Sequence, residues 1–568
     1  MQALKKRVLL CLMCYSMAFA QEAPEYTWAK SPRANSFDIP TALDLDDDEN
    51  IYSSGLFTTR ITFDQITLER PNVDGVSKFG SYICKHDKNG EVQWAVATQG
   101  FSVSKISDLE MSKSNILYAI GTFKDFIILD DDSINASNPD KEELFLFTLD
   151  RNGTWLDHIT ASATNNIRNL KITTDDNDNI YIAGVFSGTL QIGGQSVSDN
   201  TNNIFLAKLN KQLECQWIQS YKAGYYHDDS EPIGELTLDH NNNLLLVGNY
   251  REFLNINDNI NLSTGSQFSS NVFIAKFNNN GEGLWAQSAG GRFTDYGYSV
   301  DVLTNNNIAI CGRLSGSMEI NNEQINAGNG NFFAAILDSD GNWESILTKA
   351  DVGSHLSSAN SIQCDANNNC YITGFYRSTT SNFIIGSDTI TRNSNYNHFF
   401  YAKFNSSGEW LWAKNGESKE ISVGDFIRVN KNNDLVISGN YMEEITLGDF
   451  TLAKPRFAAV NARNSFLCSV DQNMEQSGVE SFSVIKNHFK IYPNPCFGQL
   501  NVSISNFSQH ASIQVFDLNY QLVYSQPMGK LDSGQTQMQI DLRHLKTGMY
   551  IIRYSTNNEV FNHKVMVQ

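Results

Sequence analysis

The sequence predicts an all-β chain built on a seven-bladed β-propeller with about four antiparallel strands per blade. Three observations predict it. A strand ending in glycine recurs at Gly55, Gly121, Gly184, Gly248, Gly312, Gly374 and Gly439, with spacings of 62 to 66 residues. A strand opened by an aromatic follows each time, from Tyr82-Ile83-Cys84 to Phe466-Leu467-Cys468. A tryptophan strand then closes the unit, at Trp94, Trp155, Trp217, Trp285, Trp343 and Trp412.

Within each unit the order is regular. A short polar-apolar segment leads to an Asn/Asp-rich turn, then to the glycine strand, as in Ile51-Tyr52-Ser53-Ser54-Gly55. A second element of variable length precedes the aromatic strand. Turns such as Asp87-Lys88-Asn89-Gly90 and Asn278-Asn279-Asn280-Gly281 come next. Alternating β-branched and aromatic residues between such turns are strand and hairpin signals. The seventh unit reaches Phe466 to Asp471 and has no tryptophan strand of its own, whereas Trp28 stands alone before the first unit. The sequence therefore predicts that the strand around Trp28 completes the seventh blade and removes the exposed edges of an open array. Recurrence at one strand position makes packing between blades, rather than sugar stacking, the expected role of the tryptophans.

Charged residues make up 18% of the chain and hydrophobic ones 41%, which suits a large folded core. A net charge of −20, with no basic cluster after the first ten residues, argues against a nucleic-acid partner. Residues 1–20 read as a secretory signal: Lys5-Lys6-Arg7, an apolar run from Val8 to Met17, then Ala18-Phe19-Ala20. No other segment reads as membrane-spanning. Seven cysteines remain after cleavage, an odd number that rules out a complete disulfide framework. Cys84 and Cys468 take a position held elsewhere by alanine and read as core thiols. Cys364 and Cys370 flank a turn and are candidates for a hairpin disulfide.

The units resemble the propeller repeats of the bacterial SBBP family, with their Asp-x-x-x-Asn-x-Tyr-x-x-Gly core. The resemblance covers residues 21–475 and implies a fold, not an activity. After a linker at 476–487 the composition changes. Ile491-Tyr492-Pro493-Asn494-Pro495, Val515-Phe516-Asp517-Leu518, Gly548-Met549-Tyr550-Ile551 and Lys564-Val565-Met566-Val567-Gln568 follow in order. Residues 488–568 resemble the type A C-terminal sorting domain of type IX secretion in Bacteroidetes. That resemblance implies a small Ig-like β-sandwich after the propeller, the secretion machinery as a partner, and a cargo released or attached at the cell surface.

Chemistry is harder to read. The runs at Asp44–Asn50 and Asp175–Asn179 invite a calcium reading, since that ion takes clustered oxygens. They fall where other units carry Asn-rich turns, so a structural turn is the preferred reading and no cofactor is expected. Propellers generally bind at the channel mouth. Polar residues recur where each inner strand begins: Asp38, Ser104, Asn165, Glu231, Asp295, Ser357 and Ser422. With Asp228 and Asp229, the residues Asp38, Glu231 and Asp295 form the candidate ligand site at an acidic mouth. The sequence has no HExxH, Gly-x-Ser-x-Gly or phosphate loop, and no catalytic residue is assigned. The expectation is a secreted or cell-surface binding module for a glycan or protein. The alternatives are an extracellular polysaccharide hydrolase or lyase, and a passive adhesive or structural component.

Overall fold

A computed structural model describes residues 24–472, apart from 36, 70–78, 99–103, 130–131, 225–231, 266–268, 321–322, 329, 349–354, 379–381, 391–394 and parts of 456–461. Between 489 and 567 it describes seven strands and the turn after Asp541. The signal segment 1–20 and the linker 476–487 lie outside the described residues. Glu25–Gln472 forms one compact unit, and the tail belongs to another.

Every regular element described is a β-strand. In Glu25–Gln472 the main strands form seven antiparallel four-stranded sheets, of which five stand alone and the second and third are joined, with one hairpin, into a ten-stranded whole. Their first strands are Asp38–Leu45, Ser104–Met111, Asn166–Thr174, Ile233–Leu238, Tyr296–Val302, His355–Cys364 and Ser422–Val429. Between second and third strands lies an extra hairpin, such as Arg60–Phe63 with Ile66–Glu69. This is the element of variable length. Short pairings of Ser162 with Gln191 and Lys222 with Asn255 join neighbouring sheets at their margins. Each first strand lies against the first strand of the next sheet, and Asp38–Leu45 also lies against Ser422–Val429.

The repeat glycines have a packing cause. Each sits in the second strand directly opposite an aromatic of the third: Gly55 with Tyr82, Gly121 with Phe145, Gly184 with Phe205, Gly248 with Phe273, Gly312 with Phe333, Gly374 with Phe400, Gly439 with Phe466. The first strand bulges beside the same glycine. A Cβ at Gly439 would lie 2.5 Å from the Phe466 ring and 2.2 Å from the Val423 carbonyl. The ring thus occupies the space that a side chain would need, and the bulge turns the strand inward.

The strand Glu25–Lys30 pairs with Asn464–Asp471, placing Tyr26 opposite Val470 and Ala29 opposite Cys468. It is the fourth strand of the seventh sheet. Trp28 then reaches the next sheet. Its Nε1–H donates to the Lys88 carbonyl at 3.0 Å, and its ring covers Gly90, whose φ is +79°. Trp94 does the same to Arg151 and Gly153, and Trp285 to Ser339 and Gly341. Trp217 covers Gly281. In each case the turn needs glycine twice over, for its left-handed backbone and for the indole lying against it. Trp28 and Trp412 are buried, whereas Trp94, Trp155, Trp217, Trp285 and Trp343 are half-buried.

Cys364 and Cys370 face each other across a hairpin and are disulfide-bonded. Cys84, Cys311 and Cys468 are buried free thiols, and burial pushes each above the ordinary thiol pKa. In the tail, one sheet runs Phe489–Tyr492, Gln499–Ile504, Thr536–Asp541. The other runs Leu522–Met528, Ala511–Phe516, Gly548–Ser555, Val560–Val567. Leu500, Val502 and Ile540 of the first share a core with Ile513, Val515 and Ile552 of the second.

Candidate functional site

Two of the residues expected at an exposed mouth, Asp38 and Asp295, are buried. Asp38 is fully buried; its Oδ1 accepts from the Tyr82 hydroxyl at 3.2 Å and its Oδ2 from the Ser465 N–H at 3.1 Å. Asp295 is also fully buried and accepts from the N–H groups of Ser315 and Gly291. Burial pushes Asp38 up to about 6 and Asp295 up to about 7, against those hydrogen bonds. Ser357 Oγ accepts from the Phe332 N–H, and Ser422 Oγ from the Phe399 N–H. Most of these positions therefore bracket the first strand of one sheet to the third strand of the sheet before it. Polarity at a strand start marks either water or an unmet backbone donor, and here it marks the donor. Asn165 remains exposed. Asp228, Asp229 and Glu231 lie outside the described residues.

A different set of side chains does converge. All seven first strands contribute to one pocket of about 430 Å³, with Pro40, Lys105, Lys171, Glu235, Tyr298, Asn360 and Arg428 each supplied by a different sheet. Arg428 Nε lies 3.8 Å from Asp44 Oδ1, and Arg428 Nη2 lies 3.8 Å from Glu235 Oε1. Burial works against the guanidinium charge, but Glu235, Asp44, Asp108 and Asp301 outweigh it and hold its pKa above the usual value. Burial raises the carboxyls in turn: Asp44 and Asp301 to about 6, and Glu235 above its ordinary range, each opposed by Arg428.

These carboxylates also tie sheet to sheet. Asp44 accepts from the Met111 N–H at 2.7 Å, Asp108 from Ile172 at 3.1 Å, Glu110 from Thr174 at 2.9 Å. Glu235 accepts from Val300 at 3.1 Å, and Asp301 from Cys364 at 2.6 Å. Asn169 and Ser361 play the same part toward Ile233 and Ile427. Where the carboxyl is ionised, such a bond is charge-assisted and among the stronger ones available to a backbone donor. Sequence reading missed this set, although its signal is present. Eleven residues before Gly55, Gly121, Gly312, Gly374 and Gly439 stand Asp44, Glu110, Asp301, Gln363 and Arg428.

The Asp-rich turns use their oxygens internally. Asp46 Oδ1 accepts from the N–H groups of Asp48 and Asn50, and Asp46 Oδ2 from the Tyr52 hydroxyl. Asp175 and Asp365 repeat this arrangement with Tyr181 and Tyr371. In each case a lysine, Lys85, Lys208 or Lys403, lies over the tyrosine ring. In the fourth sheet Leu245 replaces the tyrosine. There Lys276 swings onto Asp239 at 2.8 Å. Among the described residues no group of three or more His, Cys, Asp or Glu is placed to hold a metal ion.

Comparison with known proteins adds one firm point. No curated protein matches the sequence. Two solved structures align at low similarity. One is PorZ, titled an essential bacterial surface component of the type-IX secretion system of Porphyromonas gingivalis, at 11% identity and TM-score 0.15, covering 95% of this chain and 100% of that one. The other is a glycoside hydrolase family 32 protein from Bifidobacterium adolescentis, at 10% identity and TM-score 0.26, covering 79% and 81%. No helix among the described residues is long and apolar enough to cross a membrane. Residues 490–568 match the secretion system C-terminal sorting domain, so this protein is cargo of type IX secretion, engages that machinery through its tail, and is secreted or held at the cell surface.

Proposed function

We propose that residues 25–472 are a seven-bladed β-propeller that binds a glycan or protein ligand in its axial pocket, without catalysis, at the cell surface. The order of neighbours supports the propeller: each first strand touches the next, and the first and seventh touch each other. The tryptophans that lean from one sheet onto the next agree with it, as does the likeness of the repeats to those of SBBP proteins. One observation carries the ligand reading: the pocket of about 430 Å³ to which every sheet contributes. Concave sites with a few convergent polar groups are where small ligands and chain ends bind. Support for a non-catalytic role comes from how the carboxylates are used. Glu235 and Asp301 each accept a backbone N–H from the neighbouring sheet, and Arg428 stands between Asp44 and Glu235. A glycosidase needs one carboxyl free to move a proton and a second free to attack or activate water. The test is a glycan array and a cross-linking pull-down with the mature chain. Lys171→Ala and Tyr298→Ala should each weaken the captured ligand about tenfold, roughly 1.4 kcal/mol. Polysaccharide turnover that disappears in Glu235→Gln would refute the non-catalytic reading.

A further inference from the structure

A second concavity lies away from the axial pocket. Thr264 and Gly265, from the loop after the hairpin Phe253–Ser263, meet Gly290, Gly291, Arg292 and Phe293, from the loop that enters the fifth sheet. Together with Asn271 they enclose about 790 Å³.

Three features set this place apart from an ordinary loop. Phe293 is 59% exposed, the most exposed large apolar side chain among the described residues. It is nevertheless seated: a Cβ on Gly316 would lie 2.4 Å from the Phe293 ring, so the ring packs over that glycine. One side of the ring is thus supported and the rest is open to water. Second, three of the seven lining residues are glycines, so part of the wall is main chain. Gly265 has nothing within 4 Å of where its Cβ would be, and Gly290 and Gly291 add two more positions without side chains. Third, the loop is anchored. The Gly291 N–H donates to Asp295 at 3.0 Å, and Asp295, wholly buried, also holds Ser315. The polar groups at hand are the Asn271 carboxamide and the exposed Arg292 guanidinium.

A supported aromatic face beside a carboxamide, a guanidinium and open backbone matches the two-sided chemistry of a sugar ring. A pyranose has an apolar C–H face and an edge of hydroxyls. Burying that face on an aromatic removes apolar area from water, while the edge finds polar partners. A purely apolar partner would leave the buried Asn271 Oδ1, which has no hydrogen-bond partner, unpaired at some cost. We propose that this concavity is a sugar-binding site, separate from the axial pocket, in which a pyranose unit of a glycan stacks on Phe293.

The test uses the mature full-length chain and a panel of neutral gluco-, manno-, xylo- and galacto-hexasaccharides, read by saturation-transfer NMR and calorimetry. Phe293→Leu keeps an apolar side chain over Gly316 but removes the flat face. Phe293→Trp restores a flat face. Binding of a hexasaccharide that falls at least tenfold in Phe293→Leu and stays within threefold in Phe293→Trp, with unchanged melting temperatures, supports the site. Equal binding by all three proteins overturns it, and leaves the axial pocket as the place where that sugar binds. Absence of binding to the whole panel also overturns it, while a ligand lost in Lys171→Ala would still uphold the axial reading.

Discussion

Replacing Trp28 by alanine isolates the contribution of the N-terminal strand. The side chain is 9% exposed and packs with Leu43, Ile51, Val436 and Leu467, so it touches the sheets on both sides of the junction. A buried tryptophan hides about 150–250 Å². At about 25 cal/mol per Å², removing it costs roughly 4–6 kcal/mol before the site relaxes. Loss of the bond from its Nε1–H to the Lys88 carbonyl adds about 1 kcal/mol. Relaxation at the junction returns part of this, so about 3–5 kcal/mol is expected, in line with large-to-small core substitutions. Trp94→Ala is the internal control, because Trp94 makes the same bond and the same glycine contact while only half-buried. Urea unfolding of the full chain followed by far-ultraviolet circular dichroism reads both. Trp28→Ala should cost at least as much as Trp94→Ala. A cost below about 1 kcal/mol for Trp28→Ala, with a larger one for Trp94→Ala, would mean that the N-terminal strand is not docked and would refute the reasoning.

Five further outcomes are expected. Glu110 is pushed up to about 8, Asp295 and Asp425 to about 7, and Asp38, Asp44 and Asp301 to about 6, by burial in every case. Between the unfolded carboxyl values and these folded ones the native state binds more protons, so stability falls as pH rises from about 5 to 8. His86, lowered to about 4 by burial, opposes this with a single proton below about 6.5. Melting temperatures at pH 5, 6.5 and 8 check the sign, and Glu110→Gln should flatten the slope. Lys276→Ala strands the buried Asp239 carboxylate and should cost about 3 kcal/mol or more. Lys208→Ala, which removes only a cation lying over Tyr181, should cost about 1 kcal/mol or less by the same unfolding assay. The Cys364–Cys370 bridge closes a separation of six residues, so reduction or a double serine variant should cost about 2 kcal/mol at most, read as a small drop in melting temperature. Deleting residues 490–568 should abolish surface delivery, seen by fractionation and surface labelling of cells.

The repeat was legible because its cause is local. A glycine opposite an aromatic, and an Asx turn closing on its own N–H groups, each fall within one unit, so composition and spacing expose them. The place of Trp28 was legible too, since a missing strand at one end and a spare one at the other leave a single economical pairing. The site was less legible. Asp38 and Asp295 are polar at strand starts, and sequence alone does not separate a solvated carboxylate from one that caps a neighbour's backbone. Arg428 meets Asp44 and Glu235 only after more than half of the chain has folded around it, so no local pattern announces the contact. Phe293 carries no repeat signature, and its meaning comes from Gly316 lying beneath it.

The pairing of Glu25–Lys30 with Asn464–Asp471 has a consequence for the order of events. Thr27 and Ser469 meet across 442 residues. Loop entropy grows only logarithmically, so this closure costs about 2 kcal/mol more than one spanning a single repeat. The penalty is small, but the delay is long. The earliest strand of the domain to be synthesised is the last to find its partner, and until then Asn464–Asp471 offers a bare edge to any other strand. The same geometry puts the domain's two ends side by side, Glu25 against Asp471. A short linker between them, with new ends opened at the exposed hairpin turn around Asn259, should give a circular permutant in which that last strand no longer has to return from afar.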